Sequence, residues 1–122
     1  MFSNILIVED ESIVALDIKE RLNIMGYNVI GMISSGEEVL NIIENNEIDL
    51  IFMDIQLKGE LDGIDTAMQI RKSFDIPIVY TTANSDLKTH KKIEQTEPYE
   101  YLIKPFDDTQ LQIAINNSLN FK

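Results

Sequence analysis

Short apolar runs alternate five times with stretches of helical periodicity along this chain, and that alternation leaves few folds open. The runs are residues 4–8 (NILIV), 27–33 (YNVIGMI), 49–53 (DLIFM), 77–81 (PIVYT) and 99–103 (YEYLI). The third is apolar at Leu50, Ile51, Phe52 and Met53 in succession, the mark of a strand covered on both faces. Between the runs, apolar residues recur every three or four positions. Val14, Ile18, Leu22 and Met25 make one stripe over residues 11–25, closed by Gly26, as glycine commonly closes a helix. Ser34 and Ser35 offer caps for a second helix through Val39, Leu40, Ile42 and Ile43, ended near Asn45 and Asn46. A third helix runs from Ile64 through Ala67, Met68 and Ile70, and a polar fourth spans residues 85–95. Asp107 opens a fifth, with Leu111, Ile115 and Leu119 on its buried side. Five strands each followed by a helix predict an α/β domain, a parallel sheet with helices on both faces. Right-handed crossovers make that sheet doubly wound.

The 122 residues suffice for one domain with a proper core, predicted to span residues 1–122. Twenty-one acids face ten bases, a formal net charge of −11, which argues against binding a phosphate backbone. Most of that charge serves solubility; a smaller share fits an acidic pocket that holds a cation. The absence of cysteine excludes disulfides and thiolate metal sites and fits a reducing compartment. No apolar run approaches the roughly 20 residues of a membrane helix, and no basic-then-apolar leader opens the chain. A cytoplasmic domain with no membrane or nucleic-acid contact is expected, so the sequon at Asn116–Asn117–Ser118 has no consequence.

The third run ends in a carboxylate, Asp54, an odd place for an acid unless the strand end is a site. In open parallel sheets, sites form at the carboxyl ends of the strands, near the topological switch point. The residues following each predicted strand are therefore informative. Glu9 and Asp10 follow the first, Asp54 the third, Thr82 and Ala83 the fourth, Lys104 and Pro105 the fifth. Any one is an ordinary solvent-facing strand end; together they suit one chemistry. Two carboxylates about 4 Å apart repel by about 4 kcal/mol at an effective dielectric of about 20. A third would raise one pKa further unless a cation sat among them. Oxygen-only donors favour a hard ion such as Mg²⁺ over zinc. Lys104 adds a fixed positive charge and Thr82 a neutral donor. Such a set suits a phosphoryl group carried on a carboxylate.

With "ILIVED", "LIFMDIQL", "IVYTTAN" and "YLIKPF" in this order and spacing, the whole chain resembles the receiver domain of two-component response regulators, the CheY-like superfamily. The resemblance implies a flavodoxin-like sheet of strand order 2-1-3-4-5. It implies that Asp54 accepts a phosphoryl group from a phosphohistidine or small phosphodonor. Glu9, Asp10, Asp54 and the backbone carbonyl of Gln56 would hold Mg²⁺, or Mn²⁺ in its place. Lys104 would pair with the acceptor and then with its phosphoryl group. Thr82, followed by the small Ala83, would be the switch hydroxyl, and Tyr101 the aromatic that follows it. The Lys104–Pro105 peptide would be cis, and Gln56 and Asn84 would tune dephosphorylation. The implied partners are a histidine kinase or phosphotransfer protein, and a second copy through the face made by the fourth helix, fifth strand and fifth helix.

Two loops depart from the commonest family form. "IQLKGELDG" lacks a proline four residues after the acceptor and carries one extra residue before Asp62–Gly63. Glu97–Pro98 stands where many members have Gly–Ala. Both features resemble receivers attached to sensory histidine kinases. The expected function is thus a signalling switch, not an enzyme beyond its own phosphoryl transfer and dephosphorylation. Two other functions compete. A phosphorylation-independent interaction module would not need the complete set Glu9, Asp10, Asp54, Thr82 and Lys104. A Mg²⁺-dependent phosphohydrolase of the haloacid-dehalogenase type would want a second acid where Gln56 stands. The calcium-loop likeness of residues 54–65 fails at Lys58 and at the preceding strand. His90 and the pair Lys91–Lys92 are expected on a solvated helix surface, and Met25, Met32, Met53 and Met68 in the core.

Overall fold

A computed structural model describes residues 3–83 and 90–120, with the side chains of His90 and Lys91 excluded. The chain order is β1 (Asn4–Val8), α1 (Ser12–Ile24), β2 (Asn28–Ile33), α2 (Val39–Asn45), β3 (Leu50–Asp54) and α3 (Gly63–Arg71). Then follow β4 (Ile78–Thr82), α4 (His90–Ile93), β5 (Tyr99–Ile103) and α5 (Asp108–Leu119). Short 3-10 turns at Gly36–Glu38 and Glu94–Thr96 lead into α2 and out of α4. Residues 85–89 of the expected fourth helix lie outside the described residues, as do Asn84 and the side chains of His90 and Lys91.

The five strands form one parallel sheet of order β2-β1-β3-β4-β5, so the doubly wound expectation holds. β3 is central, and all five of its residues are buried. Strand side chains alternate between faces, and this splits the core in two. Leu6, Val8, Ile51, Met53 and Tyr80 pack with Val39, Ile43, Ile64, Ala67 and Ile70 from α2 and α3. Ile5, Ile7, Leu50, Phe52 and Val79 pack with Ile18 and Leu22 of α1 and Leu111 and Ile115 of α5. Burying such a side chain contributes about 1.5–3 kcal/mol, so the strands are held from both sides.

Local signals shifted in a few places. Neither Ser34 nor Ser35 caps a helix through its side chain; the Ser35 hydroxyl instead donates to Glu38 Oε2 at 3.0 Å. Asp54 belongs to β3, and β4 extends to Thr82, because pairing continues through Asp54 opposite Thr81 and the Ile55 N–H reaches the Thr81 carbonyl. Met32 is 41% exposed rather than core, since β2 is an edge strand. The capping at α3 and α5 is reciprocal: Asp62 with Asp65, and Asp107 with Gln110. None of the described helices is long and apolar enough to cross a membrane.

Candidate functional site

β1 and β3 are neighbours at the switch in strand order, and their carboxyl ends carry Glu9, Asp10 and Asp54. One carboxylate oxygen from each lies within 4.8 Å of the others. Glu9 and Asp54 are each only 4% exposed. Each carboxylate accepts one backbone N–H from the chain that follows β1 or β3. Glu9 Oε2 takes the Glu11 N–H at 3.2 Å, Asp54 Oδ1 the Gln56 N–H at 3.0 Å, and Asp10 Oδ2 the Lys58 N–H at 3.3 Å. The loop after β3 thus orients both the acid it springs from and one across the crevice.

Lys104 arrives from β5. Its N–H donates to the Thr82 carbonyl at 2.7 Å, and its Nζ lies 2.8 Å from Glu9 Oε1 and 3.8 Å from Asp54 Oδ2. The Lys104–Pro105 peptide is cis, as is Glu97–Pro98. Thr82 is buried at the end of β4, with Ala83 exposed just beyond it. Gln56 and Tyr101 are exposed at the same carboxyl rim and on β5. The structure therefore brings together Glu9, Asp10, Asp54, Thr82 and Lys104, and Asn84 lies outside the described residues.

Burial pushes the Glu9 pKa up to about 7, and hydrogen bonding and charge from Asp54 add to it, outweighing the pull of Lys104 the other way. For Lys104, burial alone would disfavour the cation, but the Glu9 hydrogen bond and the Asp54 and Glu9 charges win and raise its pKa. The pocket therefore holds a proton among its acids near neutrality. Above the ordinary carboxylate range the unfolded chain loses that proton while the folded, metal-free protein keeps it until about pH 7. Stability from this group is full below about pH 4.5 and lost as pH rises toward 7. The expected loss is at most about 3 kcal/mol. Urea unfolding in a chelator between pH 5 and 8 checks this: Glu9→Gln should flatten the slope, and an unchanged slope would refute the assignment.

With all three acids ionised, one ammonium leaves an excess of two negative charges. A hard divalent cation matches both the charge and the all-oxygen donors, so the residues present fit such an ion.

Sequence reasoning missed three contributors. Gly63, at the start of α3, lies against the Asp54–Ile55 peptide, so a Cβ there would overlap the Asp54 carbonyl oxygen and sit 2.9 Å from Ile55 Cα. Only its place after Asp62 hinted at a turn. The Lys58 N–H bonds Asp10 across 48 positions of sequence, which no local pattern shows. Glu37 Oε1 accepts the Leu61 N–H at 3.2 Å and holds the same loop from the β2–α2 side.

Fold and site together define an α/β protein with an acidic, lysine-bearing rim at the switch point of a flavodoxin-like sheet. The response regulator receiver domain family matches residues 5–116, and the chain belongs to that family. It is 34% identical over 111 residues to the transcriptional regulatory protein PdtaR of Mycobacterium tuberculosis, covering 91% of this chain and 54% of that one. The signal receiver domain of a modulated diguanylate cyclase from Desulfovibrio desulfuricans superposes with a TM-score of 0.91 at 30% identity, covering 99% and 96% of the two chains. The receiver domain of a sensor histidine kinase from Pseudomonas aeruginosa, a structure with a magnesium ion coordinated in the active site cleft, gives 0.85 at 29% identity over 98% of each chain. The chain spans about half the length of the curated relatives it matches.

Proposed function

We propose that the domain, residues 1–122, is a phospho-accepting switch of a two-component phosphorelay, with Asp54 as the acceptor. One observation carries the reading: Asp54 ends the central strand with one oxygen fixed by the Gln56 N–H and the other turned toward Lys104. An oxygen of the Asp54 carboxylate attacks phosphorus in a phosphohistidine from a histidine kinase or phosphotransfer protein. The new bond is an acyl phosphate; the P–N bond breaks, and the imidazole leaves and takes up a proton. Glu9, Asp10, Asp54 and the Gln56 carbonyl are the residues to hold Mg²⁺, or Mn²⁺ in its place. When bound, that ion supplies positive charge to the phosphoryl oxygens. Lys104, held against Glu9 in the resting state, adds its own positive charge to the phosphoryl oxygens.

Thr82 then donates its hydroxyl to the phosphoryl group while Ala83, having only a methyl side chain, leaves room beside it. Tyr101 turns inward after Thr82 and biases two states of the α4–β5–α5 face. Tyr101, Ile103 and Ile113 of that face are 44%, 42% and 54% exposed. They line a groove of about 360 Å³ with Glu100, Gln110 and Ala114. It is the surface for a second copy of the chain. Gln56 and Asn84 set the rate of self-dephosphorylation. The acidic surface supports a cytoplasmic domain that binds neither nucleic acid nor membrane.

Incubation with acetyl phosphate, read by intact mass, is expected to add one phosphoryl group only with Mg²⁺ present and not in Asp54→Ala. A phosphorylated histidine kinase serves as second donor. No gain from either donor, in folded protein that binds Mg²⁺, would refute the switch and leave a phosphorylation-independent interaction module.

A further inference from the structure

The sequence holds two arginines, Arg21 and Arg71, and the fold spends them at opposite ends of one strand. Arg71 takes the carbonyls of Thr96, Glu97 and Pro98 just before β5. Arg21, on α1, takes the chain just after it: Nη2 donates to the Phe106 carbonyl at 2.9 Å, and Nε to Asp108 Oδ1 at 2.7 Å. Its guanidinium carbon also stands 4.9 Å from the centroid of the Phe106 ring, and Asp17 meets it from α1 at 3.5 Å.

β5 needs such help because it is an edge strand paired with β4 alone. Lys104 lies one residue beyond β5, tied to the sheet by its N–H to Thr82, and two residues before Phe106. Its Nζ must nevertheless reach Glu9 and Asp54, on and beside strands from the middle of the sheet. The Arg21–Asp108 pair does little for stability, since Asp108 is 72% exposed and exposed ion pairs contribute little. What the planar fork offers is geometry: two directed bonds and a stacked ring at once, which lysine cannot reproduce.

We propose that Arg21 is a positioning residue for Lys104, clamping residues 106–108 to α1 so that the ammonium stays over the acid pocket. The proposal rests on the receiver reading for its consequence, but its structural half can be tested without phosphoryl transfer. In Arg21→Met, which keeps an apolar stem and loses the fork, amides of residues 102–108 should exchange roughly tenfold faster. Amides of β1 and β3 should keep their wild-type rates. Arg21→Lys should show the same local loosening. Uniform acceleration across the sheet, no acceleration, or full recovery with lysine would overturn the proposal.

The second arm reads the rate of Asp54 phosphorylation by acetyl phosphate at saturating Mg²⁺. Arg21→Met should slow it roughly threefold to tenfold, as misplacement of a charge-stabilising group does. In a Lys104→Met background it should slow it no further, because the residue acts through Lys104. Multiplying effects would overturn the claim. A wild-type protein that takes no phosphoryl group from acetyl phosphate or from a phosphorylated histidine kinase refutes the phospho-acceptor reading, and the exchange arm still decides the clamp.

Discussion

Gly63→Ala is expected to destabilise the protein by about 3 kcal/mol or more, an unusually large cost for one added methyl group. The cause is not backbone strain, since only Gly26 and Gly59 have positive φ among the described residues. It is proximity: the new Cβ would overlap the Asp54 carbonyl oxygen and lie 2.9 Å from both the Asp54 carbonyl carbon and Ile55 Cα. These are backbone atoms, which cannot swing aside as a side chain does. Nor can α3 retreat cheaply, for the Gly63 N–H bonds the Ile55 carbonyl at 3.0 Å and the Asp62–Asp65 capping box fixes the helix start. Relief must come from moving the peptide after Asp54, so the Asp54 carboxylate should shift with it. Urea unfolding reads the first effect and phosphorylation by acetyl phosphate the second. A variant within about 1 kcal/mol of wild type would mean that α3 moves away after all.

The second large effect falls far from the acid rim. Arg71→Met should cost about 1.5–3 kcal/mol, the range for removing a charged donor from backbone acceptors of which at least one is buried. Arg71 ends α3, and its guanidinium reaches the Thr96 carbonyl at 2.9 Å, Glu97 at 2.7 Å, Pro98 at 2.8 Å and Phe74 at 3.2 Å. Partial burial holds its pKa below the usual arginine range. Thr96 is fully buried, so its carbonyl finds no solvent in exchange, and a buried acceptor left unpaired costs about 1–3 kcal/mol. The side chain of Thr96 is engaged separately: Tyr80 Oη donates to its Oγ1, which donates to the Ile93 carbonyl, both at 2.6 Å. That chain should survive, leaving the end of α4 partly anchored. Arg71→Lys should recover less than half of the loss, because an ammonium lacks the fork's spread. The urea midpoint checks both variants, and a loss below about 1 kcal/mol for Arg71→Met would show that water satisfies these carbonyls.

Much of the site was legible because its parts are local. A fully apolar strand ending in Asp54, and acids, a threonine and a lysine at the ends of the other strands, are patterns of neighbours in sequence. Once the sheet is parallel, all carboxyl ends share one rim, so Glu9, Asp10, Asp54, Thr82 and Lys104 had to assemble there. Boundaries slipped by a residue where the ladder outran the apolar run, at Asp54 and Thr82. The serines at 34 and 35 offered a cap that a short 3-10 turn did not use.

Other features are pairings between distant segments, and no local pattern encodes those. Arg21 with Phe106 and Arg71 with Thr96 read alone as surface charges on helices, yet each fixes backbone 85 and 25 positions away. Whether Glu9 holds a proton depends on how deeply the rim is buried and on Asp54 standing beside it. Gly63 matters only because α3 begins against the Asp54 peptide. The sequence by itself determined the order of strands and helices, the doubly wound class and the identity of the acids, since these follow from periodicity and adjacency. Only the tertiary structure decided which backbone N–H orients each acid, what clamps β5 and where no methyl group fits, since those depend on distances between chain segments that only packing brings together.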